Sequence, residues 1–177
     1  MSRGQAAAAI ERVKQALAEC GLDPSLVREL PADTSTAEAA ARAVDAPLGS
    51  IVKSLVFLGD GAPLLVLVSG DQRADVRKLR AALGFSKKRL RIAQPAEVLD
   101  STGFEVGGVP PIGHDQRESR SISGAGRAAV RTLIDHNLGR FDLVWAAAGS
   151  PNAVFPIAYS QLLAITSGEV MDLAEQS

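Results

Sequence analysis

Twelve residues from Gly103 to His114, reading Gly-Phe-Glu-Val-Gly-Gly-Val-Pro-Pro-Ile-Gly-His, cannot run as helix or central strand. Proline brings no ladder donor and glycine loses the most backbone entropy in either element, so four glycines and two adjacent prolines define a shaped loop. Pro110 and Pro111 hold φ near about −65° and stiffen its exit, while Gly107 and Gly108 are free to take positive φ and turn their N–H groups into one concavity. Two readings fit such a loop: a rigid turn between strands, or a cradle for a carbonyl or phosphate oxygen.

The regular elements must therefore lie on either side. Ser2 to Cys20 is helix-forming, with Ile10, Val13, Ala16 and Leu17 on one face, and Gly21 stops it. Asp23 and Pro24 open a helical turn, and Arg28 to Leu30 reads as a short strand. Thr34 or Ser35 caps a second helix that begins at Thr36-Ala-Glu and ends before Pro47 and Gly49. Ile51 to Leu58 and Leu64 to Ser69, joined by Gly-Asp-Gly-Ala-Pro, form the clearest hairpin of the chain. Asp71 to Leu83 is helical, burying Val76, Leu79 and Leu83, and Pro95 to Asp100 is a short helix. Beyond the loop, Asp115 to Arg127 is a polar, exposed insertion. Its Gly124-Ala-Gly126 fragment follows no buried strand and is not a dinucleotide fingerprint. Val130 to Ile134, Leu143 to Ala148 and Val154 to Ile157 are strands, with a small-residue turn at Gly149-Ser150-Pro151. Tyr159 to Ile165 is helical and Glu169 to Leu173 closes the chain. The expected fold class is mixed α/β, with one domain spanning residues 1–177 and no interdomain linker.

Composition narrows the function. At 177 residues the chain can bury a real core. Hydrophobic residues are 46% and charged residues 22%, which excludes a disordered or fibrous chain, and aromatics are only 4%, which leaves few platforms for stacking bases. A net charge of −1 excludes a general basic coat. The eight basic residues between Arg73 and Arg91 face one acid, Asp75, so positive charge is concentrated there. They form either a solvated helix face or a contact for a phosphate backbone, in which case Arg73, Arg77, Lys78, Lys87, Lys88 and Arg89 are the candidate nucleic-acid-binding residues. Cys20 is the only cysteine, which gives no disulfide framework and fits a reducing cytoplasm. No segment is apolar enough to span a membrane or serve as a secretory signal.

Lys53 interrupts an apolar strand. It is either an edge lysine that discourages strand pairing or a cation aimed at a cavity. His114 is either a general base or a histidine that binds the loop backbone. His136 in a turn has no assigned role, and two separated histidines with one cysteine give no metal cluster. No cofactor is expected.

Taken together, Ile-Val-Lys53-Ser54-Leu, Gly103 to His114 and Trp-Ala-Ala-Ala-Gly-Ser-Pro-Asn-Ala-Val-Phe at Trp145 to Phe155 resemble the YbaK/EbsC-like family, over about Ala37 to Leu173. That family includes free-standing proteins related to the editing domain of bacterial prolyl-tRNA synthetase. The resemblance implies a curved, barrel-like and mostly antiparallel sheet surrounded by helices. It also implies hydrolysis of the ester joining a wrong amino acid to the terminal adenosine of tRNA, without a side-chain nucleophile. Lys53, Gly107, Gly108 and Pro111 match the family's catalytic positions. Ser54, Val109, His114, Gly149, Ser150 and Phe155 are the implied substrate-binding residues. Apolar Phe155 stands where some members carry an acid, so no member's amino acid is carried over. The other function class is a non-catalytic module of the same fold that holds tRNA or a synthetase.

Overall fold

The structure is a computed structural model that describes residues 3–31, 34–114 and 130–175. The expected insertion at 115–127, with its Gly124-Ala-Gly126 fragment, lies outside those residues. Helix α1 (Arg3–Glu19) buries Ala9, Ile10, Val13 and Leu17, the stripe anticipated from the sequence. A single 3₁₀ turn at Pro24–Leu26, capped by the Asp23 carboxylate on the Ser25 N–H, leads into strand β1 (Arg28–Glu29). Helix α2 (Ala37–Val44) is capped by Thr36, whose hydroxyl accepts from the Ala39 N–H, rather than by Thr34 or Ser35. Thr34 is buried and donates instead to the Pro31 carbonyl at 2.5 Å.

Strands β2 (Val52–Gly59) and β3 (Ala62–Ser69) pair antiparallel in full register, from Val52 opposite Ser69 to Gly59 opposite Ala62. The connection is tighter than expected: Asp60 and Gly61, both at positive φ, make a two-residue turn of the type favoured by strand twist. Helix α3 (Val76–Leu83) starts later than Asp71 because the Asp75 carboxylate accepts from the Arg77 and Lys78 N–H groups and fixes the cap there. Strand β4 (Leu90–Ile92) emerges from what reads in sequence only as a charged run. Helix α4 (Pro95–Thr102) precedes the glycine-proline loop. Then come β5 (Arg131–Asp135), β6 (Leu143–Ala147), β7 (Ala153–Ala158), helix α5 (Tyr159–Thr166) and β8 (Glu169–Met171).

The strands form two sheets, β1-β7-β6 and β4-β2-β3-β5-β8. Most pairs are antiparallel, with β5 parallel to both β3 and β8. A single parallel bridge between Ile51 and Trp145 joins the sheets where β6 passes the start of β2. The sheets meet there without closing, so the expected barrel-like curvature is realised as two bridged sheets.

Alternation along the strands sorts side chains onto two faces. Val52 and Val56, Leu65 and Leu67, Val144 and Ala146, and Phe155 and Ile157 enter the main core with α1, Val98 of α4 and Leu162 of α5. On the other face, Phe57, Leu64, Val66 and Val68 pack with Leu79 of α3, while Ile51, Trp145 and Val154 pack with Ala40 and Ala41 of α2. Each large apolar side chain so buried contributes about 1.5–3 kcal/mol. Helices α2 and α3 thus cover the two ends of one face of β2. Lys53 sits in the gap between them.

Candidate active site

The gap is built from β2 and β6. Ile51 pairs with Trp145 in a parallel bridge, so strand alternation puts Lys53 on the face of β2 that Ile51 occupies and Ala147 on the face of β6 that Trp145 occupies. Ala147, half-buried at the end of β6, is a candidate neighbour of the lysine that the sequence reading did not name.

Strand β6 runs directly into the Gly149-Ser150-Pro151 turn, and on this turn rests the glycine loop. The Gly149 N–H donates to the Gly108 carbonyl at 3.0 Å. A Cβ on Gly108 would meet the Ser150 nitrogen and Cα at 2.9 Å, so only glycine permits this approach. Gly107 has φ +89° and is exposed, which presents its amide at the rim. Val109, Pro110 and Pro111 are buried beneath it. The Gly108 N–H accepts no role towards a ligand, because it donates to the Glu105 carbonyl at 3.0 Å. Among the described residues, the Gly107 and Val109 amides have no such backbone acceptor. Of the two glycine amides expected to turn into one concavity, that of Gly107 is left, together with the Val109 amide.

Ser150 is buried, and its hydroxyl bonds the Asn152 Oδ1 at 2.6 Å; Asn152 in turn donates its amide to the Leu30 carbonyl at 3.0 Å. These bonds fasten the turn to the chain beyond β1. They also leave Ser150 as a part of the frame rather than a nucleophile. His114 frames the loop from the other side: its Nε2 lies 2.8 Å from the Pro110 carbonyl, which only accepts, so Nε2 carries the proton. Burial holds the His114 pKa below the ordinary histidine value; the Pro110 carbonyl opposes this and the nearby Arg12 guanidinium reinforces it. Arg12 of α1 lies 3.9 Å above the Phe104 ring and donates to the Gly103 carbonyl at 2.5 Å, and Phe104 meets His114 edge-on. The loop is thus clamped to α1.

Lys53 is partly buried, and its ammonium donates to the Gln72 carbonyl. Burial pulls its pKa below the ordinary lysine value, Glu38 and Asp71 work against that pull, and Arg73 adds to it. Ser54 faces the opposite way, among the main-core side of β2, with its hydroxyl buried and unpartnered among the described residues. Phe155 is 1% exposed within the main core and faces away from Lys53; Val154 is the β7 side chain on the Lys53 face. The structure joins the glycine loop, with Gly107, Gly108, Val109 and Pro111, to the Gly149-Ser150 turn. Lys53 lies on the Ile51 face of β2 beside Gln72, while Ser54 and Phe155 turn to the main-core side, which Val109 shares.

The basic segment divides as well. Lys78 bonds the Asp172 carboxylate at 2.6 Å and the Ala174 carbonyl at 2.7 Å, and Arg89 pairs with Asp60. Arg77 stays 88% exposed beside Asp75. Arg73, Lys87 and Lys88 are exposed. Elsewhere, Asp135, His136 and Asp172 converge closely enough to suggest a metal. The Asp135 carboxylate, however, already accepts from the N–H groups of Asn137, Leu173 and Ala174 and from the Asn137 side chain. That carboxylate ties strands together and has little capacity left for an ion.

The model of the aminoacyl-tRNA editing domain family matches residues 31–165, which include Lys53, the glycine loop and the Gly149 turn. A solved structure described as a candidate trans-editing enzyme for prolyl-tRNA synthetase superposes with a TM-score of 0.83 at 41% identity, covering 99% of both chains. The protein YwhH of Bacillus subtilis, itself uncharacterised, is 34% identical over 139 residues, 77% of this chain and 78% of that one. Proline–tRNA ligase of Thermosipho africanus is 37% identical over 81 residues, 46% of this chain but only 14% of the ligase. The likeness to the ligase is confined to a small segment of it. With the match running across both sheets and the bridged gap between them, the chain belongs to the aminoacyl-tRNA editing domain family.

Proposed function

We propose that Lys53, the Gly107–Pro111 turn and the Gly149–Ser150 turn form the centre at which this editing domain hydrolyses mischarged aminoacyl-tRNA in trans, as one domain over residues 1–177. The observation that supports the reading most is the Gly149 N–H bond to the Gly108 carbonyl, which holds the glycine loop on the turn after β6 and leaves the Gly107 and Val109 amides without a backbone acceptor among the described residues; the half-buried Lys53 ammonium on β2 adds a cation within the same family match. Water adds to the ester carbonyl carbon, the bond to the ribose oxygen breaks, the amino acid leaves as a carboxylic acid and the terminal hydroxyl regains a proton. Negative charge develops on the carbonyl oxygen, and one preorganised donor to such an oxygen is worth about 2.7–4 kcal/mol of barrier. The Gly107 and Val109 amides supply such donors. Lys53 neutralises the phosphate of the terminal adenosine. His114 and Pro111 act through the loop: a histidine whose proton is held on Pro110 keeps the turn in shape and is a positioning residue. Arg73, Lys87 and Lys88 approach the tRNA backbone, with Arg77 at their edge. A cytoplasmic location accords with this substrate and with the lone Cys20; no described helix is long and apolar enough to cross a membrane.

The second reading, a silent module that only holds tRNA, draws on the basic segment and on the engagement of Ser150 and His114 in the frame. The two separate on one comparison. Lys53→Met and Gly107→Ala are expected to retain tRNA affinity within about threefold and to lose ester release by tenfold or more, about 1.4 kcal/mol of barrier. Tight tRNA binding with no ester release by the unaltered protein would establish the module instead.

A further inference from the structure

Beyond Lys53, the same face of β2 continues into a cavity of about 530 Å³ that shares only Lys53 with the proposed hydrolytic centre. This volume lies within the range of small-ligand sites, about 300–1,000 Å³. Leu55, Phe57, Val76, Leu90 and Ile92 make its apolar floor, and Lys53, Arg73, Arg80, Lys87 and Arg91 make its rim. No acid lines it. Phe57 is 2% exposed, so its ring is not a stacking platform and the floor is effectively aliphatic.

Gln72 and Arg80 line it as well, but their Oε1 and Nε atoms are shut off from solvent and do not face the cavity. An apolar floor inside a positive rim matches a nucleobase with its phosphate, because the face of a base is apolar and its backbone is anionic.

We propose that this cavity is a subsite for the nucleotide that precedes the terminal adenosine at the single-stranded 3′ end of tRNA. The identification of the ligand as tRNA rests on the proposed function; the cavity's fit to a nucleotide does not. Lys53 belongs to the proposed centre and also lines this cavity, so it stands where the phosphate between the last two nucleotides passes. The preceding base lies on Leu55, Val76 and Ile92, the floor side chains that keep exposed surface. Its own 5′ phosphate meets Arg73 and Lys87. Arg91 is held in a bidentate pair with Glu97, both bonds 2.7 Å, and shapes the rim.

The test is direct binding of two probes to the whole protein by calorimetry: adenosine 5′-monophosphate and the dinucleotide cytidylyl-adenosine carrying a 5′ phosphate. The dinucleotide is expected to bind at least tenfold more tightly, and Ile92→Glu, which sets a carboxylate at a 54% exposed floor position, is expected to remove that gain while Tm is kept. Lys87→Glu, at an exposed site, is a second variant expected to reduce the gain should Ile92→Glu fold poorly. Equal affinities for the two probes, or a gain that survives both variants, would overturn the subsite. Because the readout is binding, absence of ester cleavage would count against the proposed function and not against the subsite. A deacylase with equal affinities for the two probes would retain its function and lose this inference.

Discussion

Gly107 and His114 carry the most specific expectations at the scale of single residues. An L-residue at the Gly107 φ of +89° is strained by about 1–2 kcal/mol, while the nearest atoms to an added Cβ, in Pro151, stand at an ordinary 3.5 Å. Gly107→Ala is therefore expected to fold, with Tm a few degrees lower, and to lose at least tenfold in kcat through its displaced amide; full activity would remove this amide from the site. Gly108→Ala meets backbone at 2.9 Å and is expected to destabilise by about 1–3 kcal/mol through overpacking, seen in denaturant unfolding. For His114 the sign follows from its depressed folded pKa: the unfolded chain, near about 6.5, binds the proton more readily. Its contribution to stability is fully present above that value and is lost as pH falls through the folded value. The stability difference between the wild type and His114→Gln should be flat at neutral pH and shrink on acidification. A difference that grows on acidification would mean the ring is held as a cation.

The elements show where sequence is informative and where it is silent. The hairpin, α1, α4 and the loop were legible because their signals are local: β-branched alternation, a 3.6-residue stripe and clustered Gly and Pro. Strand β4 was not, because Arg89 and Arg91 find Asp60 and Glu97 only in the fold and a paired strand looks from its sequence like a solvated charge run. Nor does any local signal place Gly108 on Ser150 or bridge Ile51 to Trp145, contacts that join residues about forty and ninety positions apart. Ser54 and Phe155 illustrate the converse: both lie in the matching motifs, yet strand alternation turns them to the opposite face. Among the cations near α3 the division is testable. Lys87→Glu with Lys88→Glu should flatten the log-log salt dependence of tRNA affinity by about 0.7–0.9 per lost phosphate contact. Lys78→Ala should leave that slope unchanged and cost about 1 kcal/mol of stability, since its ammonium ties α3 to Asp172 and Ala174. The reverse assignment would follow if Lys78→Ala alone altered the slope.

At the scale of the molecule, two sheets joined at one bridge leave a face of β2 covered at its ends and open at its middle, and the chemistry is assigned to that opening. α1 and α5 pack behind the main-core side of β2, and the basic rim borders the opening beyond Lys53. The proposed site would select by its space and by the charge of the acceptor end, with donors from the glycine loop and no side-chain nucleophile. The measurement that tests this most directly is release of amino acid from a panel of tRNAs charged with Ala, Ser, Thr, Cys and Pro, comparing the wild type with Lys53→Met. The account predicts release above the uncatalysed rate for at least one small amino acid, lowered tenfold or more in Lys53→Met with tRNA affinity retained. Release from none of them by the wild type, or undiminished release by Lys53→Met, would contradict it.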